Sequence, residues 1–295
     1  MMNDTFLKRI NPFIKLMRPK QWIKNFFVFA AIMFSGKLLN SGLLSYNLIV
    51  FLLFSFTSSC VYVLNDVVDM EKDKLHPEKM HRPLPSGKIK KREAEIFGVF
   101  IFIIIFSIAF IFDFKIFLIL LVYLITNILY SFILKNIVII DVMIITFGFY
   151  LRVLSGSIAT EVRLSPWLIL CTILLSLFLA ISKRKSEIVM LQDSSSSHRK
   201  ILQEYSIELL DKMLTIVTPS ILMAYCLYTT ISENQSRTMI YTIPFVLYGI
   251  FRYQYLMEKK NIGSKPEDTF RKDKPFLVNM ILWVISVFII IYFKL

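Results

Sequence analysis

Nine apolar runs decide what this chain can become. They lie near 23–39, 44–64, 95–112, 115–134, 137–158, 166–182, 211–231, 238–257 and 276–294. Each approaches the roughly 20 residues that a helix needs to cross hydrocarbon. Hydrophobic side chains make up 56% of the 295 residues, more than a soluble domain carries. The pattern predicts an all-α, polytopic membrane bundle of about nine transmembrane helices; runs 23–39, 95–112 and 166–182 are marginal in length. Cys60, Cys171 and Cys226 all fall inside apolar runs, without ligand spacing, and read as small core residues.

The connections set the expected orientation. Loops 65–92, 183–210 and 258–275 carry eight, five and six Lys/Arg, whereas the alternate connections hold little beyond Lys37, Lys115, Arg163 and Arg237. Basic loops stay cytoplasmic, so the amino terminus and these three loops are expected on that side and the carboxy terminus outside. The net charge of +13 is therefore mostly topology, and nucleic acid is not an expected partner. Residues 1–21 lack the pattern of a cleavable signal peptide and predict an N-terminal interfacial segment. Trp22 anchors it at the headgroups, with Lys20 and Lys24 on one face at i, i+4.

Where the second run meets water stands Asn65-Asp66-Val67-Val68-Asp69-Met70-Glu71-Lys72-Asp73. On a helix Asn65, Asp69 and Asp73 fall at i, i+4, i+8 and Asp66 at i+1, lining one side for about two turns. Carboxylates and a carboxamide oxygen are hard ligands that suit Mg²⁺, which takes one or two carboxylates and completes its octahedron with water and substrate phosphate. The sequence has no glycine-rich phosphate loop or nucleophile elbow. His76, His81 and His198 are loop residues, and Ser194–Ser197 reads as a flexible tip.

Polar residues also occur where hydrocarbon is expected. Asn127, Tyr130, Ser131 and Lys135 close the fourth span; Asp141 opens the fifth, and Arg152 lies deep within it. Ionisable groups at such depth usually face a bundle interior or wet cavity and mark a site. Asp141 and Arg152 are about three turns apart and do not touch directly. Arg152 reads either as a site cation or as half of a structural ion pair. Lys183-Arg184-Lys185-Ser186-Glu187 reads either as a phosphate grip, Lys183 and Arg184 acting together, or as stop-transfer basics. A metal-binding acidic cluster ringed by cations above a greasy cavity suits a diphosphate substrate and a lipid-tailed one, with electrostatic stabilisation of the departing diphosphate.

Asn65-Asp66-x-x-Asp69-x-x-x-Asp73 after the second of nine spans resembles the UbiA superfamily of intramembrane prenyltransferases. Five further segments look like its decaprenyl-phosphate phosphoribosyltransferase branch. They are Arg18-Pro-Lys-Gln-Trp-Ile-Lys-Asn25, His76-Pro-Glu-Lys-Met-His-Arg-Pro83 with Gly87, Tyr130-Ser-Phe-Ile-Leu-Lys135 followed by Asp141, Gly148-Phe-Tyr-Leu-Arg152 with Gly156, and Lys183-Arg184-x-x-Glu187. The likeness runs from about residue 15 to 190; beyond that only hydropathy and a Pro266-Glu267-Asp268 loop carry it. Aromatic prenyltransferases of this type have a second aspartate-rich cluster after the sixth span. Here cations stand there, which favours a donor with an extra phosphate to grip.

The resemblance implies a single UbiA-like domain over 1–295 in the cell membrane, active site on the cytoplasmic side, and homo-oligomers. It implies Mg²⁺-dependent transfer of phosphoribosyl from 5-phosphoribosyl diphosphate (PRPP) to a polyprenyl phosphate, for cell-envelope glycan precursors. Asn65, Asp66, Asp69 and Asp73 would hold the metal, with Asp66, Asp69, Asp73, Lys183 and Arg184 catalytic. Lys20, Gln21, Lys24, Asn25, Lys79, Arg82, Tyr130, Lys135, Asp141, Arg152 and Glu187 would bind substrate. Two rivals are a UbiA-type enzyme using a prenyl diphosphate and another acceptor, and a transporter, against which stands the lack of any repeat of the acidic motif.

Overall fold

The computed structural model describes residues 11–75, 79–192, 201–231, 237–260, 269 and 272–293, and all regular structure among them is helical. The helices are α1 (residues 11–17), α2 (Ala30–Phe34), α3 (Ser41–Val68), α4 (Met70–Lys74), α5 (Lys91–Phe112) and α6 (Phe114–Phe132). They continue with α7 (Ile140–Ala159), α8 (Pro166–Gln192), α9 (Ile201–Glu204), α10 (Ile207–Ile231), α11 (Ile243–Lys260) and α12 (Lys274–Phe293). Seven of the described helices, α3, α5, α6, α7, α8, α10 and α12, are long and apolar enough to cross a bilayer. The starts are conventional: Asn40 Oδ1 accepts from the Leu43 amide at 3.1 Å, and Asp113 Oδ1 from the Lys115 amide at 2.7 Å.

Two predicted runs fold differently. Residues 23–39 divide between a 3-10 helix (Pro19–Phe29) and α2, and residues 238–257 between a 3-10 helix (Arg237–Thr242) and α11. The first has a visible cause. An added Cβ on Gly156 of α7 would stand 1.8 Å from the carbonyl oxygen of Val28, so backbone presses on backbone where no other residue fits. The Asn47 amide donates to that same carbonyl at 3.3 Å. Trp22 and Asn25 fasten the segment to α3 through Ser59 at 3.0 Å and Ser55 at 3.0 Å.

Helices α3 and α7 are the inner pair, 61% of each apolar window being buried, against 22% for α5 and α12. The outer helices turn side chains such as Phe100, Ile111 and Val278 outward, as lipid-facing surface requires. Helix α8 continues to Gln192, so the predicted loop at 183 begins as helix and its first residues keep helical directions. Ser194–Ser197, Pro266-Glu267-Asp268, His76 and His198 lie outside the described residues. Between the helices runs one cavity of about 2290 Å³.

Candidate active site

One end of the cavity is polar. Eight Lys/Arg and five Asp/Glu line it, and almost all stand at this end. Helix α3 stops at Val68, Asp69 breaks it (φ −93°, ψ 8°), and α4 restarts at Met70. The break preserves the predicted spacing, because the Asp69 amide still donates to Asn65 O at 2.9 Å and the Asp73 amide to Asp69 O at 2.8 Å. Asn65, Asp66, Asp69 and Asp73 therefore all line the cavity.

Each of these groups meets a donor. The Arg82 guanidinium donates to Asp73 Oδ2 at 2.6 Å and Asp66 Oδ1 at 3.2 Å, and Arg18 also bonds Asp66. Lys79 Nζ is 3.6 Å from Asp73 and Lys135 Nζ 3.5 Å from Asp69. The Ser131 hydroxyl donates to Asn65 Oδ1. Burial, and then the neighbouring Arg18, push the Arg82 guanidinium below its ordinary value while the two carboxylates oppose them. Two arginines crowding Asp66 make this end receptive to more negative charge.

The sequence gives Arg18 no role beyond its motif. It adopts a left-handed backbone (φ 54°) before Pro19 and lays its guanidinium 5.0 Å from the Tyr62 ring centre. The Arg-Pro pair signals a restricted backbone, but nothing local says where the side chain goes. Lys20 is exposed and outside the cavity wall, because a 3-10 turn of three residues does not carry the i, i+4 face assumed for Lys20 and Lys24. Gln21 and Lys24 do line the cavity, Lys24 donating to Gln21 Oε1 at 2.6 Å.

Lys183 and Arg184 part company. Lys183 lines the cavity with Glu187, 3.9 Å away. Arg184 is wholly buried behind the wall, donating to Asp141 Oδ2 at 2.6 Å, Glu187 Oε2 at 2.5 Å and the Tyr130 hydroxyl at 2.9 Å. The Tyr205 hydroxyl donates to the other oxygen of Asp141 at 2.7 Å and accepts the Ile139 amide at 2.7 Å. Asp141 and Arg184 thus meet each other instead of the cavity and hold Tyr130 and Glu187 at its edge. Tyr205, which sequence reasoning missed, lies between the short α9 and the start of α10, a segment whose only signal is an aromatic hydroxyl.

Arg152 lines the cavity deeper in, and its partners are Asn25, Gly148 O and Tyr123. Asn25 is wholly buried and acts through Arg152. Around and beyond Arg152 the lining turns apolar, with Phe149, Leu175, Phe178, Tyr228 and Trp283.

The oxygen donors fit Mg²⁺. Among the described residues no three acidic, His or Cys groups converge as a metal cage, but this ion needs only one or two carboxylates when substrate phosphate and water complete its shell. Asn65, Asp66, Asp69 and Asp73 present hard oxygens to one space.

Residues 25–291 match the UbiA prenyltransferase family. The chain belongs to this family. It is 30% identical over 290 residues to "Decaprenyl-phosphate phosphoribosyltransferase" of Corynebacterium glutamicum, covering 95% of this chain and 86% of that one. A Mycolicibacterium smegmatis protein of the same name is 27% identical, with 97% and 94% covered. A solved UbiA homolog from Archaeoglobus fulgidus, bound to GPP and Mg²⁺, superimposes with a TM-score of 0.72 at 18% identity, covering 96% of this chain and 99% of the other. The relatives' shared name agrees with the branch indicated by the five motif segments. This UbiA-family chain is an integral membrane transferase.

Proposed function

We propose that the enzyme transfers 5-phosphoribosyl from PRPP to a polyprenyl phosphate, releasing diphosphate, as one domain spanning 1–295. Its polar cavity end would face the cytosol, as the basic loops suggest, and its product would feed envelope glycan synthesis. One observation carries this reading: a single cavity joins a cation-rich, acid-bearing mouth to an aromatic and aliphatic depth. Such a space suits a soluble polyphosphate donor and a lipid acceptor at once.

Arg18, Lys79 and Arg82 bind the donor's diphosphate at the mouth, and Lys135 stands across from them beside Asp69. Lys183 and Glu187 offer the ribosyl portion a cation and a hydrogen-bond acceptor. When bound by Asn65, Asp66, Asp69 and Asp73, Mg²⁺ supplies charge neutralisation on the leaving diphosphate. A lipid-phosphate oxygen forms the new bond to the anomeric carbon as the bond to diphosphate breaks, and the configuration inverts. The attacking phosphate is already anionic, so the residues need not act as a general base. The apolar walls exclude water that would otherwise take the ribosyl carbon.

The test is reconstitution in liposomes with labelled PRPP and a polyprenyl phosphate, beside labelled prenyl diphosphate and an aromatic acceptor, with products separated from unreacted donor. Label from PRPP is expected in the lipid fraction. Label from prenyl diphosphate alone would replace this reading with a prenyl transfer.

A further inference from the structure

Arg152 is a cation held inside the bundle, without an acid on it among the described residues. It is 5% exposed, and among the described residues no carboxylate lies within ion-pairing distance. Its fixed partners are neutral: Asn25 Oδ1 at 2.7 Å, the Gly148 carbonyl at 2.6 Å and the Tyr123 hydroxyl at 3.0 Å. The rings of Phe54, Tyr123 and Phe149 surround it at 5.2, 4.9 and 5.3 Å. Ring faces attract a guanidinium but bring no counter-charge. These partners leave two of its five N–H groups unused, and the residue borders the cavity. The other cavity arginines, Arg18 and Arg82, already rest on carboxylates.

Depth separates the two cation levels. Asn25, which holds Arg152, is itself bonded to Ser55 at 3.0 Å and Ser58 at 3.3 Å. Those serines precede Asp66 on α3 by about 8 to 11 residues, or about 12–16 Å of helix. The separation of Asp141 and Arg152 on α7 gives a similar depth.

We propose that Arg152 is the seat of the acceptor's phosphate, with the donor's diphosphate one level higher among Arg18, Arg82 and the carboxylates. This rests on the donor and acceptor proposed above. A soluble donor enters from the polar mouth and meets the upper cations first. A lipid acceptor keeps its tail in the apolar depth, so its head reaches the lower cation first. The anomeric carbon then lies between them. An acceptor oxygen bonds to it from below while its bond to diphosphate breaks above, the electron pair leaving with the diphosphate. No proton moves.

The test reads acceptor binding without turnover: native mass spectrometry of purified full-length protein with polyprenyl phosphate or the polyprenol of equal length, beside PRPP binding. The wild type is expected to favour the phosphate at least about tenfold, as fits a charge-assisted contact. Arg152→Gln removes that preference and leaves PRPP affinity within about twofold, and Arg152→Lys restores part of it. Asn25→Asp sets a carboxylate against the guanidinium without removing it, and also reduces the preference. A purely structural Arg152 would tolerate or welcome that acid. The proposal is overturned if the wild type binds alcohol and phosphate equally, if both Arg152→Gln and Asn25→Asp keep the preference, or if PRPP binding falls instead. A wild type that prefers the lipid phosphate yet neither binds PRPP nor transfers ribosyl would refute the donor and leave the Arg152 seat standing.

Discussion

Asp66 and Asp69 are three residues apart in one motif, yet their surroundings give them different tests. Asp69 is partly exposed and faces a single lysine at 3.5 Å. Asp69→Ala should therefore lower kcat by about 100-fold or more, the size expected when charge stabilisation is lost, without moving the thermal midpoint in detergent. Chelation by EDTA should stop wild-type turnover reversibly, Mg²⁺ restoring it. Full turnover in either experiment would end the metal assignment. Asp66 is 2% exposed and carries both Arg18 and Arg82. Asp66→Ala leaves two guanidiniums facing each other; allowing for their partial exposure, the loss is about 2–3 kcal/mol, visible as a lower midpoint as well as lost activity. Gly156 lies outside the cavity lining, but Gly156→Ala drives a methyl into Val28 O. Displacing the 3-10 segment should cost about 1–3 kcal/mol or more, measured by the same melt.

At the scale of elements, α7 and α8 are locked by the buried Asp141–Arg184 pair, with Tyr205 closing it from the far side. Burial, and then the bond to Asp141, push the Tyr205 phenol above its ordinary value, so it remains a donor at neutral pH. Breaking a buried pair costs about 3–5 kcal/mol. Asp141→Asn and Arg184→Met should both lower the melting midpoint, whereas Lys183→Ala should leave it unchanged and raise KM for PRPP. Equal melts for all three would refute the division of labour. The sequence places Lys183 and Arg184 side by side, but neighbours on a helix point about 100° apart, and Asp141, Glu187 and Tyr130 hold Arg184 behind the wall while Lys183 stays on it. The acidic motif was more legible: its spacing of four survives the helix break at Asp69 because the turn bonds persist. The long apolar helices were legible from hydropathy alone. The 3-10 entry segment was not, since its shape comes from a contact between Val28 and Gly156, more than a hundred residues away in sequence.

For the molecule as a whole, the cavity divides the work by polarity, so its two ends should respond to separate changes. Along α8 the lining runs from Glu187 to Leu168, about 19 residues or about 28 Å. The far end is closed by a cluster that includes Phe34, Tyr228, Met239 and Trp283. A short isoprenoid tail fits within this length, whereas a long one must press on the closing cluster or turn past it. Cys171→Trp adds bulk to the apolar end and touches no group at the mouth. Because that side chain borders open space, the added ring should disturb the packing less than in a filled core. KM for long polyprenyl phosphates should then rise more than KM for short ones, while KM for PRPP stays constant. Steady-state kinetics across a panel of acceptor lengths would show this. A uniform fall in kcat at every length, with acceptor KM values unchanged, would mean that the tail does not occupy the depth between α8, α10 and α12.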